Sequence, residues 1–285
     1  MNPYRKFVSD FAKLIADGKS LPLGGFPKRE NPKPAPDAPT ALIFSPHPDD
    51  ECIIGGLALR LLRESKMRVV NVAVTLGSKK ERQQPRLQEL KNACDWLGFE
   101  LELTSSSGLE KINFQTRSHH PADWNPAVKI IAASLIKNQP RAIFFPHEHD
   151  WNSTHIGTHF LVMDALKTLP SDFQTILVET EFWGQMQTPN LMVESSVENV
   201  ADLIAALSFH VGEVRRNPYH LLLPAWMQDN VRRGAELVGG QGEAAPDFSF
   251  ATLYRARRWK NSRIEEIYTG GKQISAKENP ADVLK

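Results

Sequence analysis

The chain has 285 residues, of which 41% are hydrophobic and 24% charged. That composition suits one α/β domain with appendages and excludes whole-chain disorder. Lys plus Arg number 34 and Asp plus Glu 33, for a formal net charge of +1, which gives no electrostatic argument for nucleic acid or a membrane surface as partner. The two cysteines, Cys52 and Cys94, exclude a disulfide framework and a cysteine-rich zinc module, and make the reducing cytoplasm the expected compartment.

At the N-terminus, Phe7, Val8, Phe11, Leu14 and Ile15 fall at helical spacing, which predicts an amphipathic helix packed on the body. This segment lacks the unbroken apolar stretch of a signal peptide, and no run in the chain reaches transmembrane length. Residues 22–39 carry Pro22, Pro27, Pro32, Pro34, Pro36 and Pro39, so they read as an extended connector. Residues 1–39 therefore form a helix plus connector, residues 40–269 the main domain, and residues 270–285 a polar, frayed tail.

Within the main domain, strands and helices alternate. Strands are expected at 41–45, 67–77, 99–105, 141–146 and 175–183, and helices at 55–65, 86–98, 126–139 and 154–169. The short apolar run at 41–45 has no polar face, as in a buried parallel strand. Short connections between alternating elements predict a doubly wound, mostly parallel sheet with helices on both faces. Sites in such sheets form at the carboxyl ends of the strands. Past Trp183 two helices are expected, at 197–210 and 224–239, with a last strand or irregular segment at 251–259. Arg255, Arg257, Arg258 and Lys260 there read as a solvated basic face.

Two clusters stand at strand ends. Pro46-His47-Pro48-Asp49-Asp50-Glu51 follows the first strand. Carboxylates so close repel one another, and a cation neutralises them; the polar loop is equally suited to start a helix. The second cluster, 146–155, follows another strand. Of nine histidines, three (His147, His149 and His155) lie in this cluster and a fourth, His159, follows four residues later. In a parallel sheet both loops open on one edge, so His47, Asp50 and one later histidine can form the three-ligand, one-open-position pattern of catalytic zinc.

These residues carry a resemblance. PHPDDE, Thr75-Leu76-Gly77 and Arg86-Leu87-Gln88-Glu89, with Ala93 and Leu97-Gly98, resemble the LmbE-like, or PIG-L, family of zinc-dependent N-deacetylases across roughly residues 40–185. The resemblance implies a Rossmann-like fold, one Zn2+ per chain, and removal of an N-acyl group, chiefly N-acetyl, from an amino sugar such as an N-acetylglucosamine conjugate. It assigns His47, Asp50 and His155 as metal ligands and Asp49 as the general base that activates the attacking water. It implies a small-molecule substrate and no membrane insertion, and by analogy allows a homo-oligomer.

The chain departs from the family at one motif. Asn152-Ser153-Thr154-His155 stands where His-Pro-Asp-His is usual. Asn152 can donate a hydrogen bond to an oxyanion but cannot deliver a proton. His147, His149 and His159 are then candidate acids, and Asp150 a candidate for orienting a ligand histidine. Arg86 is a candidate for a substrate hydroxyl or phosphate, or a partner of Glu89. Trp183 is a candidate to stack on a sugar or to join the core. Glu51 reads as an acceptor that braces the loop, and Cys52 as a small buried hydrophobe. Substrate selection is expected in 106–125 and after Trp183. The alternatives are a non-catalytic sugar-binding relative and another metal hydrolase, such as a phosphoesterase using His147 or His149 for a second metal.

Overall fold

The computed structural model describes residues 2–27 and 30–285. Met1, Lys28 and Arg29, part of the expected 1–39 segment, lie outside the described residues. In chain order, the first half comprises α1 (Arg5–Gly18), β1 (Thr40–Ser45), α2 (Asp50–Ile53), α3 (Gly56–Arg63), β2 (Arg68–Ala73), α4 (Lys80–Leu97), β3 (Glu100–Leu103), α5 (Phe114–His119), α6 (Pro121–Asn138) and β4 (Ala142–Pro146). The second half comprises α7 (Ser153–Lys167), β5 (Thr175–Thr180), β6 (Leu191–Glu194), α8 (Val197–Ser208), α9 (Val211–Val214), α10 (Leu223–Leu237), β7 (Ala251–Lys260), β8 (Arg263–Glu266) and β9 (Lys272–Ile274).

Nine strands among the described residues form one sheet in the order β3-β2-β1-β4-β5-β7-β6-β9, with β8 paired to β7. The first five in that order run parallel. β7 enters antiparallel between β5 and β6. The mostly parallel sheet with flanking helices follows from the residues: every position of β1 is buried. Ala41 and Ile43 of β1 join the core under α3, α4 and α8, while Leu42 joins the core under α6 and α7. A strand buried on both faces needs no polar alternation. The order reverses between β1 and β4, which places the crevice of an open α/β sheet at their carboxyl ends.

Helix ends follow local chemistry. Gly98 closes α4 with φ +82, and its amide bonds the Cys94 carbonyl, the left-handed cap that glycine adopts without a Cβ clash. Pro121 starts α6 at its first turn, where a missing amide costs nothing. α4 and α6 begin earlier than 86 and 126, at Lys80 and Pro121, and carry Pro85 and Pro126 inside the helix.

Three expectations are corrected. α1 has no buried residue, and Phe7, Val8 and Leu14 are exposed; Ile15 and Gly18 are half-buried, and Gly18 lies against Leu221. The stretch 251–259 is not the last strand, because β8 and β9 follow. The tail from Gly270 is not frayed: β9 pairs with β6, and Val283 and Leu284 are buried in the main core. The fully buried Arg60 donates to the Glu278 carbonyl. The basic stretch on β7 pairs with acids, Arg257 with Glu179 and Arg255 with Glu266. No helix among the described residues is long and apolar enough to cross a membrane.

Candidate active site

The loop after β1 is held from several sides. Thr75, just past β2, donates its hydroxyl to the Pro46 carbonyl at 2.7 Å. Arg86 of α4 donates to the Pro48 carbonyl at 2.8 Å. Asp49 has φ 115, an uncommon backbone region for a residue with a Cβ. Its amide donates to Glu51 Oε2 at 2.9 Å, and the fully buried His210 meets Glu51 Oε1 at 2.7 Å. Burial disfavours the His210 cation, but Glu51 outweighs it and holds the imidazolium pKa above its ordinary value. A buried charge pair thus fixes the strained residue that carries the neighbouring carboxylate.

The second loop comes from β4. Asn152 caps α7, its side-chain oxygen accepting from the Thr154 amide at 2.8 Å. Asp150 accepts from the amides of Asn152, Trp183 and Gly184. Its Oδ1 lies 3.4 Å from His155 Nδ1, so it orients the ring of His155. Burial opposes the Asp150 anion, yet His155 and the amides hold its carboxyl below the usual range.

The two loops converge. His47 Nδ1 is 3.2 Å from His155 Nε2, and Asp50 Oδ2 is 3.5 Å from the first and 3.2 Å from the second. Tetrahedral zinc with ligands at about 2.0–2.1 Å sets them about 3.3 Å apart. The three atoms therefore match the ligand spacing of such an ion. His155 is fully buried with Asp50 and Asp150 on opposite sides. Burial lowers its pKa, but the two carboxylates prevail and push it up to about 10. Facing imidazole nitrogens beside a carboxylate fit a cation better than they fit one another.

Asp49 flanks this group. Burial and the adjacent Asp50 push its carboxyl up to about 6, against His210, Arg86 and Tyr219. Tyr219, on the turn before α10, donates to Asp49 Oδ2 at 2.6 Å. A carboxyl that titrates near neutrality suits proton exchange. A cavity of about 340 Å³ opens on His47 and Thr154, walled by Thr75, Gly77, Ser78 and the 109–113 segment. That segment lies in the expected specificity loop, and it approaches α7 closely: a Cβ on Gly157 would stand 2.4 Å from the Ile112 carbonyl oxygen.

The remaining candidates fall outside the three-residue group. His147 is buried and meets the Gly184 carbonyl at 2.9 Å. His149 is exposed beside Glu148. His159 is buried behind the loop, with Nδ1 3.0 Å from the Pro146 carbonyl; burial lowers its pKa to about 4. Arg86 faces Pro48, Asp49 and Glu213 rather than Glu89, whose Oε1 takes the Gly212 amide. Trp183 stays half exposed, edge-on to Tyr219 at 5.6 Å. Cys52 is fully buried, and its thiol donates to Glu51. Glu51, Cys52 and His210 also cluster; there Glu51 Oε1 meets both the Cys52 thiol and His210 Nε2, while His210 Nδ1 is buried without a hydrogen-bond partner. His210 and Tyr219 were not foreseen in the sequence. In the sequence His210 ends the expected 197–210 helix, and neither residue stands in a motif.

Residues 42–166 match the family model described as PIG-L, GlcNAc-PI de-N-acetylase. No curated protein matches the chain. Among solved structures, a conserved protein of Thermus thermophilus is similar with a TM-score of 0.58 and 17% identity, over 76% of this chain and 93% of that one. The N,N'-diacetylchitobiose deacetylase of Pyrococcus horikoshii is similar with a TM-score of 0.55 and 17% identity, over 90% of this chain and 94% of that one. A 4-carboxy-2-hydroxymuconate hydratase of Pseudomonas putida is similar with a TM-score of 0.58 and 15% identity, over 76% of this chain and 95% of that one. At these identities the likeness establishes the fold.

Proposed function

Because the chain carries a PIG-L, or LmbE-like, family domain over residues 42–166, we propose that it is a metal-dependent deacetylase of an N-acetylated amino sugar, of the N-acetylglucosamine type. The observation that carries this reading is the convergence of His47, Asp50 and His155 with Asp49 at their side. The Pyrococcus neighbour, a deacetylase of an N-acetylated sugar, supports the substrate class.

His47, Asp50 and His155 would hold one zinc ion. When bound, the ion supplies Lewis acidity toward the amide carbonyl and makes a water more acidic. Asp49 accepts the proton of the attacking water at its carboxylate. Tyr219 keeps that carboxylate oriented through its hydroxyl. The Asn152 oxygen is committed to its helix cap, so its amide nitrogen is the donor left for the developing oxyanion. The protonated Asp49 returns its proton to the departing amine, leaving acetate and the free amino sugar. The free, buried Cys52 and Cys94 fit a reducing compartment such as the cytoplasm.

The test measures metal per chain and acetate release from N-acetylated sugars, wild type beside His155→Ala. About one zinc per wild-type chain, lost in the variant together with acetate release, is expected. A wild type that takes up no metal even from added zinc overturns the reading. Asn152 in its capping role favours one second reading, a sugar-binding relative. That protein would bind metal and sugar and release no acetate. The hydratase of the same fold means that fold alone does not decide between reactions.

A further inference from the structure

The cavity beside the metal group is walled on one side by Gly77 and Ser78. Gly77 and Ser78 also wall a recess of about 140 Å³, lined by Lys79, Arg82, Arg86, Arg216 and Glu213. Four cations less one acid leave a formal +3 in this recess, although the whole chain carries only +1. Glu213 Oε1 lies 2.9 Å from Arg82 Nη1 and 3.8 Å from Arg86 Nε, and its Oε2 accepts from Arg216. One carboxylate thus serves three guanidiniums.

The nearby acids do not close the balance. Asp49 stands 3.9 Å from Arg86 and is already bonded to Tyr219, and Glu89 Oε1 takes the Gly212 amide. Arg86 Nε is buried without a hydrogen-bond partner. α4 begins at the recess, and Lys79 offers it no side-chain cap, so the helix end adds positive potential. Clustered cations of this kind are stabilised by an anion among them.

We propose that the recess binds a phosphoryl group of the substrate, which makes the substrate an N-acylated sugar phosphate. This rests on the deacetylase reading and deepens it: the acyl group faces the metal ligands while the phosphoryl group sits beyond Gly77 and Ser78. Guanidiniums from separate elements and a helix amino end suit a dianion with several equivalent oxygens. A neutral sugar adds no counter-charge and leaves Glu213 as the one carboxylate shared by the three guanidiniums.

The experiment is calorimetric titration of the purified protein with N-acetylglucosamine 1-phosphate and, separately, N-acetylglucosamine. Wild type is compared with the Arg82→Ala/Arg216→Ala double variant, since neither arginine belongs to the metal group or touches Asp49. The sugar phosphate is expected to bind at least about 10-fold tighter than the neutral sugar. Inorganic phosphate is expected to compete, and the double variant to lose the difference. Should that variant not fold, Arg216→Glu, at a side chain 69% exposed, reads the same charge dependence. Equal affinity for the two sugars overturns the subsite, as does a phosphate advantage that survives both variants. Acetate is assayed in the same samples. Charge-dependent sugar-phosphate binding without acetate keeps the subsite and sinks the hydrolase. Acetate released equally from both sugars keeps the hydrolase and sinks the subsite.

Discussion

Tyr219 donates its phenolic hydrogen to Asp49 Oδ2 at 2.6 Å across 170 positions of sequence. Burial and the Asp49 charge push the phenol pKa far above its ordinary value, so Tyr219 keeps its proton and serves as a fixed donor. Tyr219→Phe keeps the ring beside Trp183 and removes only that hydrogen bond. A hydrogen bond to a charged group contributes about 1.5–3 kcal/mol, so kcat/KM for acetate release should fall roughly 10- to 100-fold with metal content unchanged. Unchanged kinetics would show that Asp49 needs no such partner.

Zinc binding should be visible as folding stability. A ligand that binds only the folded chain stabilises it by about 2.7 kcal/mol at 100 times its Kd. For a domain near this size that is a rise in Tm of roughly 5–10 °C. Differential scanning calorimetry with and without zinc should show the rise in wild type and its loss in His155→Ala. A rise that persists in the variant would place the ion elsewhere.

The Glu51–His210 pair is fully buried. Removing one partner of such a pair strands the other, at a cost of about 3–5 kcal/mol. His210→Ala should lower the urea midpoint accordingly, while Glu51→Gln, which keeps an acceptor for the Asp49 amide, should lower it less. Equal and small losses would mean that the pair does not brace the loop.

His159 gives stability a pH dependence. Burial lowers its folded pKa to about 4 from 6.5. Between those values the unfolded chain binds the extra proton, so this contribution is full above about pH 6.5 and is lost as the pH falls toward 4. The slope is about 1.4 kcal/mol per pH unit below that point. His159→Asn retains a donor for the Pro146 carbonyl and cannot titrate. Urea melts at pH 7.5 and 5 should converge for this variant relative to wild type; parallel losses would refute the assignment.

The inner parallel strands β2, β1, β4 and β5 were legible because both of their faces are buried, so each reads as an apolar run such as Ala41-Leu42-Ile43-Phe44, whereas the edge strand β3 alternates Glu100 and Glu102 with Leu101 and Leu103. β6, with four residues, and β9, with three, are too short to show a period. The tail misled by its polarity. Arg60 and the core hold Glu278, Val283 and Leu284 through contacts more than 200 positions apart in the case of Arg60 and Glu278, which no local pattern records. The same division holds at the site. His47, Asp49, Asp50 and His155 stand in two dense clusters at strand ends, where residue type and position speak together. His210 stands at the junction of α8 and α9 and Tyr219 on a single 3-10 turn, with no motif around either, and only the folded chain brings them to Glu51 and Asp49. His159 looked like a candidate by its spacing from His155, but its side chain turns to a backbone carbonyl.

The place of β7 in the sheet also governs how the chain is made. Residues 251–260 pair with β5 on one side and β6 on the other, yet they leave the ribosome some 70 residues after β5 is complete. At about 5–20 residues per second, the edge of β5 stands open for roughly 4–14 s, carrying a row of unpaired backbone groups of the kind that recruits other chains. The nascent protein already holds both site loops during that interval, without the strand that closes the sheet behind them. Its exposure to aggregation therefore depends on how fast the stretch from Glu181 to Phe250 is translated. Slow codons there would lengthen the interval, and a chaperone acting during it would shield that edge.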